Sequence, residues 1–507
     1  MQEALSSRLD EILGEPRATS LDNSTLPPFH QLNHISMSKH VVILGGGLAG
    51  LSCGYELITR GHKVTILERE PHVGGMASSF VEEGDEYWCY DFGPHRFHTR
   101  DENLIEHVNE ILGDNVVRAK RLSRIVLFNK FFDYPLVAKN VVQSMPRGLL
   151  IRSFWDYFLV RLKDRMGMSK LSDENFEGWV TRRFGHTLYR VFFGQYTEKA
   201  WGMHPREISA DWASQRISLL SLWDTVKKTL FPTKNVPRTL VTDFVYPKYG
   251  GIGELARGYA RKIEEHGGRV LVNAPAVKVY RDGMQVSGVQ YGKHERVDIQ
   301  GDEYVSTIPI VSLAKALSPA APRRVRDCTD ALNYISIVFV YLKLNRPSVS
   351  PDSWVYLPEK HLTVHRIAEF KNFSPHCAPP DKTMVCAEIT CRRGDKIWRA
   401  STEELQAIAE RDLVSVGLIN EGEVVGSFVK KIPYAYPIYD LEYKQNLLPV
   451  INFAGQLRNI HTTGRQGNFR YNNMDQSIEM GRKVGTELAT GEATDHEAVA
   501  TGKEYFG

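Results

Sequence analysis

The chain has 507 residues, and its 63 lysines and arginines nearly balance 60 aspartates and glutamates, leaving a formal net charge of +3. This length allows two or three domains with a large buried core, and the absence of a basic block interleaved with aromatics argues against nucleic acid as a partner. The cysteines are scattered without a C-x-x-C pair, which argues against a disulfide framework or a metal site and predicts a cytoplasmic protein; they are Cys53, Cys89, Cys328, Cys377, Cys386 and Cys391.

Residues 1–38 precede the first predicted strand. They are polar, contain Pro27-Pro28 and lack the apolar core of a secretory signal, so we predict a flexible extension with a short helix near Leu9 to Leu13. Met37 stands just before the strand and is an alternative start. No apolar run reaches the length needed to cross a bilayer, and stable membrane insertion is therefore not expected.

The segment after this extension has the order strand, glycine turn, helix, strand and acid. Val41–Leu44 is a fully apolar run typical of a strand buried on both faces. Gly45, Gly47 and Gly50 follow as G-x-G-x-x-G, which permits in turn a tight bend, close approach of the backbone to a pyrophosphate and tight helix packing. Glu68 ends the next apolar run, at the distance where an acidic group bonds a ribose hydroxyl. The order predicts a βαβ unit that binds a dinucleotide, either NAD or FAD.

A second glycine motif distinguishes these dinucleotides by resemblance. Arg69 and Val73-Gly74-Gly75-Met76-Ala77 continue a pattern similar to that of flavoproteins of the amine-oxidase type, in which a second glycine pair passes close to the extended cofactor. The resemblance implies FAD. His95 and His98 follow this fingerprint within YWCYDFGPHRFH, and we expect one of them near the flavin ring, although a packed loop is the ordinary interpretation of an isolated histidine.

Helices are predicted over most of the next hundred residues. A helix over 101–112 begins with Asp101 as N-cap, and a hairpin is predicted at Ile125–Tyr134. From residue 135 to 228 apolar residues recur at three- and four-residue spacing, which predicts an all-α insertion. The basic residues of this insertion are interpreted as a solvated face, with a membrane surface as the weaker alternative: Arg161, Lys163 and Arg165.

The chain then returns to the cofactor domain and adds a second sheet. Gly250 to Gly253 opens a helix that ends near Gly267. The last four of the following strand-like runs are assigned to an antiparallel substrate-binding sheet. These runs are Val270–Val272, Ala276–Tyr280, Val286–Gln290, Glu303–Thr307, Ile335–Leu344, Trp354–Leu357, Val364–Phe370 and Thr383–Cys391.

Three elements are predicted in the C-terminal part of the chain. Thr402–Val416 is a helix that Thr402 caps, with acidic residues in its first turn. Val450–Phe453 is a buried strand that ends at Gly455. Met474–Leu488 is a helix whose N-terminal N–H groups are expected to meet the flavin.

These elements predict an α/β fold, in which a Rossmann-type FAD-binding domain carries an all-α insertion and an antiparallel substrate-binding sheet. The predicted FAD-binding domain is discontinuous, because the insertion and the second sheet interrupt it. The predicted boundaries are 1–38 for the extension; 39–112, 240–325 and 445–495 for the FAD-binding domain; 135–235 for the insertion; 113–134 and 330–444 for the second sheet; and 496–507 for the tail.

Five segments of the chain resemble the UDP-galactopyranose mutases. One of them is Glu207-Ile208-Ser209-Ala210, which leads to Arg216. GQYTEKAWG at residues 194–202 is similar to the G-Y-T-x-K-Q-W-G segment of that family, and GPHRFHT at residues 93–99 matches another. Residues 364–375 and 464–476 match two more, in the same order along the chain. Protoporphyrinogen-oxidase-like flavoproteins share several of these motifs.

The resemblance implies roles for individual residues. Arg216 and Arg366 match the two arginines that hold a substrate diphosphate, and with His95 and Tyr471 they form the implied catalytic set. The chain departs from the family at Ala200, where glutamine is usual, and at Asn473, where aspartate is common. The implied substrate-binding residues are Tyr196, Trp201, Tyr436 and Asn473, and the implied cofactor-binding residues are Gly45, Gly47, Leu48, Ala49, Gly50, Glu68, Arg69, Gly74, Gly75, Met76, His95, Val277, Gly455, Arg465, Asn473 and Met474.

The function that the resemblance implies is that of a nucleotide-sugar mutase in glycan or natural-product biosynthesis, which interconverts pyranose and furanose rings through N5 of reduced FAD. Paired arginines suit a diphosphate leaving group because guanidinium groups bind phosphate oxygens bidentately, although singly each is more simply the partner of an acid. The implied partners are a nucleotide-diphosphate sugar and an external electron donor. The sequence leaves open whether the protein forms a homodimer.

The alternative function is that of an FAD-dependent oxidoreductase of the amine oxidase or protoporphyrinogen oxidase type. Such an enzyme needs an apolar and aromatic site and no arginine pair. The sequence does not identify the sugar, the nucleotide or the source of electrons.

Overall fold

The computed structural model describes residues 38–216 and 243–499, without the side chains of residues 138 and 214–216. The predicted extension with its helix near Leu9 to Leu13, the end of the predicted insertion at 217–235 and the last residues of the tail lie outside this range. The described residues belong to one compact unit, and the predicted domain boundaries stay predictions.

The described strands form two groups along the chain, seven before the helical segment 138–216 and thirteen after it. In chain order they are β1 His40–Leu44, β2 Lys63–Leu67, β3 Ser79–Glu82, β4 Trp88–Asp91, β5 Val116–Lys120, β6 Ser123–Leu127, β7 Lys130–Asp133, β8 Asp243–Pro247, β9 Arg269–Leu271, β10 Ala276–Asp282, β11 Gln285–Tyr291, β12 Val297–Ile299, β13 Glu303–Ser306, β14 Leu317–Ser318, β15 Tyr334–Leu344, β16 Trp354–Tyr356, β17 Arg366–Glu369, β18 Thr383–Cys391, β19 Val424–Pro437 and β20 Ile460–Thr462.

The described α-helices are α1 Leu48–Ile58, α2 Glu102–Leu112, α3 Ala138–Ser144, α4 Arg147–Arg165, α5 Phe176–Leu188, α6 Gln195–Trp201, α7 Ala210–Arg216, α8 Gly253–Glu265, α9 Ile310–Ala316, α10 Arg323–Ala331, α11 Lys396–Arg399, α12 Thr402–Ser415, α13 Tyr443–Gln456, α14 Gly464–Gly467 and α15 Met474–Thr490. A π-helix at Tyr189–Gly194 joins α5 to α6, and short 3₁₀ turns lie at Gly75–Ala77, Phe370–Asn372 and Pro375–Cys377.

A five-stranded parallel sheet in the order β20-β13-β1-β2-β9 forms the nucleotide-binding side of the molecule. The predicted apolar run Val41–Leu44 is fully buried within β1, as expected for a strand covered on both faces. Helix α1 crosses from β1 to β2 and packs against α15. This packing is close, because a Cβ added at Gly481 of α15 would lie 2.1 Å from the carbonyl oxygen of Ala49. The α/β fold class is confirmed.

A seven-stranded sheet in the order β19-β15-β18-β17-β16-β6-β7 forms the second side. Its pairs are antiparallel except that β16 runs parallel to β6. The hairpin predicted at Ile125–Tyr134 is β6–β7, and Phe128 and Asn129 in its turn have positive φ. The long edge strand β19 was not predicted from the sequence, because most of its residues are half-buried without the alternation that indicates a strand. A third sheet of four strands, β12-β11-β10-β14, lies beside α9.

Helices α3 to α7 lie where the all-α insertion was predicted. The spacing of apolar residues correctly predicts α4, and Arg161, Lys163 and Arg165 are exposed as predicted. The apolar stripe of this helix, however, is also exposed, each side chain by at least 40%. It consists of Ile151, Phe154, Trp155, Phe158, Leu159 and Leu162.

A buried carboxyl group, Asp91, lies at the end of β4. The hydroxyl groups of Ser79 and Tyr246 and the backbone N–H of Ile252 donate hydrogen bonds to its side chain. The hydroxyl of Tyr341, from the centre of the seven-stranded sheet, donates to its backbone oxygen at 2.7 Å. Burial raises the pKa of Asp91 to about 7, and the three hydrogen bonds oppose this increase only in part.

Two predictions of local structure are wrong. Residues 450–453 belong to α13, whose buried residues recur at helical spacing, because a four-residue apolar run does not distinguish a strand from a buried helix. The strand of this region is β20, and the glycine that follows it is Gly464 rather than Gly455. Helix α12 occurs as predicted, but Ser401 caps it, forming a capping box with Glu404. The predicted cap of α2 is confirmed, since the Asp101 side chain accepts from the N–H groups of Asn103 and Leu104.

In the part of the chain that the structure describes, no helix is both long and apolar enough to cross a membrane.

Candidate active site

A cavity of about 900 Å³ runs from the glycine turn after β1 to the face of the seven-stranded sheet. Most residues predicted to bind cofactor or substrate line it. These are Gly45, Gly47, Leu48, Ala49, Glu68, Arg69, Gly74, Gly75, Met76, His95, Tyr196, Arg366, Tyr436, Arg465, Tyr471, Asn473 and Met474.

Four predicted residues do not line the cavity. Gly50 lies in the first turn of α1, and a Cβ there would lie 2.1 Å from the carbonyl oxygen of Gly45. Trp201 is buried behind the lining tyrosines, with its ring centre 6.2 Å from that of Tyr436. Val277 follows the lining residues Pro275 and Ala276 in sequence, and Gly455 is exposed on α13. The side chain of Arg216, at the end of α7, lies outside the described residues.

The nucleotide end of the cavity is built mainly from backbone. Gly45 has φ +106° and Gly74 has φ +110°, a region that favours glycine. The N–H of Gly74 donates to the oxygen of Gly46 at 2.8 Å, which brings the two glycine motifs together. A Cβ added at Gly47 would meet no atom within 4 Å, so the backbone faces open space there. Helix α1 begins at this point without a side-chain cap, and its free N–H groups can therefore bind phosphate.

Glu68 completes the nucleotide end. Its carboxylate is buried and accepts hydrogen bonds from the N–H groups of Gly46, at 2.7 Å, and Glu70, at 2.9 Å. These bonds fix the orientation of a carboxylate that still has lone pairs for a ribose hydroxyl. An open glycine cradle, an uncapped helix terminus and an oriented carboxylate together fit the dinucleotide that the motif predicts.

At the other end of the cofactor-binding side, Arg465 and α15 approach the cavity. The Arg465 guanidinium lies 4.6 Å from the ring centre of Tyr436 and 4.5 Å from that of Tyr471. One of its nitrogens donates to the backbone oxygen of Asn472, while Nε and Nη2 are buried without a partner among the described residues. Asn473 caps α15 through a capping box with Gln476, so its side chain has a structural role there. Arg465 is the group with donors to spare for a ligand.

His95 is a neutral group within a cationic environment. Its pKa is lowered to about 3, first by burial and then by the charges of Arg465 and Arg366. Its Nδ1 is buried without a partner among the described residues. The imidazole can therefore donate or accept a hydrogen bond but carries no charge near neutral pH.

Arg366 is held by a carboxylate that the sequence did not single out. Its Nε and Nη2 bind the two oxygens of Glu388, each at 2.7 Å, and the Glu388 side chain is fully buried. Burial acts to lower the pKa of Arg366, but the carboxylate outweighs it and the pKa is raised. The bidentate pair leaves Nη1 of Arg366 for a ligand. Glu388 had a sequence signal, because it is the one acid within the apolar run Thr383–Cys391.

Helix α6 is tied to the loop that leads into Arg366. The Lys199 ammonium donates to the backbone oxygens of Glu359, Leu362 and Val364 at 2.8 to 3.0 Å. Burial lowers the pKa of Lys199 to about 7. Tyr196, one turn earlier on α6, contacts Tyr356 edge to face at 5.4 Å. The lysine of the GQYTEKAWG motif thus positions the tyrosine and the arginine of the site relative to each other.

Sequence reasoning also missed a cationic group on the far wall of the cavity. The guanidinium of Arg96 lies 4.4 Å from the ring centre of Trp354, and that of Arg121 lies 5.4 Å from it. Both arginines line the cavity, together with Tyr134 and Tyr356. Arg96 lies within the GPHRFHT motif, but no signal marked Arg121. No group of three potential metal ligands occurs among the described residues, and all six cysteines are free.

The fold and the glycine cradle define a flavoprotein of the Rossmann type. The chain belongs to the family of flavin-containing amine oxidoreductases, whose model matches residues 48–439. With the second glycine motif, this membership identifies the cofactor as FAD and the protein as a flavin enzyme of the amine oxidase superfamily.

Individual relatives divide between two activities. A probable UDP-galactopyranose mutase of Klebsiella pneumoniae is 27% identical over 173 residues, which cover 34% of this chain and 44% of that relative. An L-amino-acid oxidase of Siganus canaliculatus is 22% identical over 468 residues, covering 84% of this chain and 82% of the relative. The crystal structure of a reduced UDP-galactopyranose mutase superimposes with a TM-score of 0.78 at 19% identity, over 92% of this chain and 97% of the other. At this identity the superposition shows a shared fold.

Proposed function

We propose that this flavin enzyme is a nucleotide-sugar mutase that interconverts the pyranose and furanose forms of a sugar. The observation that carries the proposal is the composition of the cavity beyond the cofactor cradle. It presents the guanidinium groups of Arg366 and Arg465 among the hydroxyl groups of Tyr196, Tyr436 and Tyr471. Guanidinium groups and tyrosine hydroxyls suit a polar, anionic substrate such as a nucleotide-diphosphate sugar.

The proposed roles follow from the hydrogen bonds that each group has left to make. Arg366 is oriented by Glu388 and offers Nη1 to a diphosphate oxygen. Arg216, at the end of α7, is the proposed second diphosphate ligand, as the family resemblance implies. Reduced FAD, when bound, supplies the nucleophilic nitrogen of such a reaction. The protein's own task is to hold the departing diphosphate close enough to return, which charged donors achieve by electrostatic stabilisation.

Neutral His95 suits this chemistry. A third positive charge beside those of Arg465 and Arg366 would be unfavourable in a buried site, and burial prevents it by lowering the pKa of His95. We propose that the neutral imidazole donates or accepts a hydrogen bond with the cofactor or the sugar. Tyr471 and Tyr436, whose rings stack at 4.9 Å, would form the wall against which the sugar lies.

A redox reaction on a small molecule is the second candidate. The match to an L-amino-acid oxidase over most of the chain favours it, as does the aromatic part of the cavity lining. Those aromatic residues are Phe80, Phe92, Phe176, Phe192, Phe193 and Trp354. The two candidates differ in their use of electrons, because the mutase regenerates its reduced flavin and the oxidase passes electrons to an acceptor.

The test is to incubate dithionite-reduced protein with UDP-galactose, UDP-glucose and dTDP-sugars and to read the ring size of the products by NMR. We expect ring contraction of one of these sugars with no stoichiometric loss of reductant, and no reaction with oxidised protein. Consumption of oxygen in proportion to product, or reduction of the flavin by an amine or amino acid, would assign the protein to the oxidoreductases instead. An Arg366→Lys variant that keeps FAD but loses the activity would support the role proposed for the bidentate arginine.

A further inference from the structure

Two arginines on the far wall of the cavity lie close together, and no acid among the described residues pairs with them. The guanidinium groups of Arg96 and Arg121 both lie over the ring of Trp354, at 4.4 and 5.4 Å. Within residues 38–216 and 243–499, no hydrogen bond or ion pair joins either group to an acid, and Nε of Arg121 is buried without a partner. The carboxylates among the described lining residues are Glu68 and Glu70, which belong to the nucleotide end.

The neighbouring arginines, Arg124 and Arg366, each pair with an acid. Arg124, three residues after Arg121, pairs with Asp352 through two hydrogen bonds of 2.6 and 2.8 Å. Arg366 pairs with Glu388 in the same way. The two arginines within strands of this sheet, Arg124 on β6 and Arg366 on β17, therefore have an acid each. Among the described residues Arg96 and Arg121 have no such acid, and the pKa of Arg96 is lowered to about 9, first by burial and then by the charge of Arg121.

Two guanidinium groups so close together are electrostatically unfavourable unless an anion neutralises them. Two like charges at a partly buried place repel one another and are poorly solvated. The faces of Trp354 and Tyr134 attract a cation but cannot neutralise it. A ligand oxyanion can, because each guanidinium offers several N–H donors in one plane to carboxylate or phosphate oxygens.

We propose that Arg96 and Arg121 form an oxyanion subsite that binds an anionic group of the substrate. The subsite is separate from the glycine cradle, since Arg121 precedes β6 and Trp354 begins β16, both in the seven-stranded sheet. It adjoins the proposed diphosphate site through Tyr356, over whose ring the Arg366 guanidinium lies at 6.0 Å. The inference rests on the proposed function for the identity of the ligand. The bound oxyanion is either a phosphoryl group of the diphosphate or a carboxylate on the sugar.

The experiment compares FAD-loaded wild type with Arg96→Gln, Arg121→Gln and the double variant. Isothermal titration with UDP, UDP-glucose, UDP-glucuronate and inorganic pyrophosphate measures the dissociation constants. Arg118→Gln is the matched control, because Arg118 is exposed on β5, three residues from Arg121. Each single variant should weaken binding by roughly ten- to a hundredfold, and the control should not.

The ligands distinguish the two sources of the oxyanion. Equal weakening for UDP, UDP-glucose and UDP-glucuronate assigns the diphosphate to this subsite. Weakening for UDP-glucuronate alone assigns a sugar carboxylate. If the ligands that bind wild type bind the Gln variants within twofold, the subsite does not exist.

Two further readouts keep the test decisive. If wild type binds no nucleotide but its affinity for pyrophosphate depends on Arg96, the mutase proposal fails and the subsite stands. If wild type binds neither ligand, the subsite fails as well.

The melting temperature of the protein without ligand is the second measurement. Removing one of two repelling charges should leave this temperature unchanged or raise it, whereas removing a structural arginine lowers it. Should a Gln variant not fold, Arg96→Lys keeps the charge but loses the planar donors and is expected to show weaker binding with normal FAD content.

Discussion

The two ends of the cavity bind their ligands by different means. The nucleotide end uses backbone: the turn at Gly45 to Gly47, the second glycine pair and the terminus of α1, together with the buried carboxylate of Glu68. The other end, which we propose binds the substrate and call the substrate end, uses side chains. These are chiefly arginines and tyrosines, and they come from α6, β16, β17, β19 and the turn after α14. At the nucleotide end few side chains can replace the glycines. At the substrate end, ligand binding depends on the identity of each side chain.

This difference determines where specificity lies. A backbone cradle recognises the phosphates and general shape of a dinucleotide and can serve any chain of the superfamily. A set of side chains held by partners such as Glu388 and the Lys199 ammonium can be altered one residue at a time. We therefore expect substitutions at the nucleotide end to affect the fold or the FAD content, and substitutions at the substrate end to affect stability or ligand choice.

The largest effect is expected at Gly50. A Cβ there would lie 2.1 Å from the carbonyl oxygen of Gly45, which is backbone and cannot move aside without opening the turn. Gly50→Ala should give protein that is insoluble or that melts far below wild type. Expression yield and melting temperature measure it.

Gly47→Ala is the matched control within the same turn. Because a Cβ at Gly47 meets nothing within 4 Å in the protein, the FAD-free variant should melt as wild type does. Its side chain would occupy the space into which the pyrophosphate fits, so flavin absorbance after reconstitution should be strongly reduced. A normal FAD content in this variant would contradict the position assigned to the cofactor.

The next largest effect is expected at the buried ion pair of the substrate end. Arg366→Ala leaves the carboxylate of Glu388 buried and unpaired, which should destabilise the protein by about 3–5 kcal/mol. Thermal or urea unfolding of the FAD-loaded protein measures the loss. This variant therefore reports stability as well as binding, and Arg366→Lys is the better probe of ligand affinity.

A double variant tests the explanation. Arg366→Met combined with Glu388→Leu removes both charges and should recover most of the lost stability, since well-packed apolar residues replace buried ion pairs at little cost. If the double variant is no more stable than Arg366→Ala, the loss comes from packing around the guanidinium rather than from the unpaired charge.

The buried carboxyl group of Asp91 should make the stability of the protein depend on pH. Its pKa is about 7 in the folded protein and lower in the unfolded chain, so between these values the folded state holds a proton that the unfolded state has lost. The contribution of Asp91 to stability is therefore present at low pH, decreases as pH rises to 7 and changes little above it. A pKa difference of this size changes the free energy of unfolding by about 4 kcal/mol over the whole pH interval.

Asp91→Asn isolates this contribution from those of other titrating groups. The amide keeps an oxygen for Ser79 and Ile252 and does not titrate. The difference in melting temperature between wild type and Asp91→Asn should shrink steadily from pH 5 to pH 7 and then stay constant. A difference that is independent of pH would show that Asp91 titrates in its ordinary range.

The smallest effect is expected at the cap of α12, on the seven-stranded sheet. Ser401→Ala removes the side chain that accepts from the N–H of Glu404 and should cost about 1 kcal/mol. Thr402→Ala, the neighbouring residue inside the helix, should be nearly neutral, as the midpoints of urea unfolding would record. A larger loss of stability in Thr402→Ala than in Ser401→Ala would show that Thr402 is the cap.

Local patterns predicted the nucleotide end well, because its residues are adjacent in sequence and its chemistry belongs to the backbone. The strand, the glycine turn, Glu68 and the cap at Asp101 were all readable from spacing. The predicted strand at Val450–Phe453 failed because four apolar residues fit a helix equally well. Gly455, assigned to the cofactor on the basis of that strand, lies on α13 and does not line the cavity, whereas Gly464 after β20 does.

The substrate end was predictable only in part. Motifs marked Tyr196, Arg366 and Arg465, but their partners come from elements distant in the chain. Arg366 meets Glu388 only because β17 pairs with β18 in a register that places the two residues opposite each other. Arg121, two residues before β6, reaches Trp354 through the parallel pairing of β6 with β16, and Arg96 reaches the same ring from the loop after β4. No spacing rule for a single segment contains that information.

The order of strands in the parallel sheet has a consequence for synthesis of the protein. The strand β1 begins at His40, and its neighbour β13 pairs on the other side with β20, which begins at Ile460. Helix α15, which packs against α1, comes later still. The first βαβ unit must therefore wait, on the ribosome, until nearly all of the chain has emerged before its sheet and helix layer are complete. A chain that ends before β20 would lack both the edge strand and helix α15, whose first turn lines the cavity, and we expect such a chain not to retain FAD.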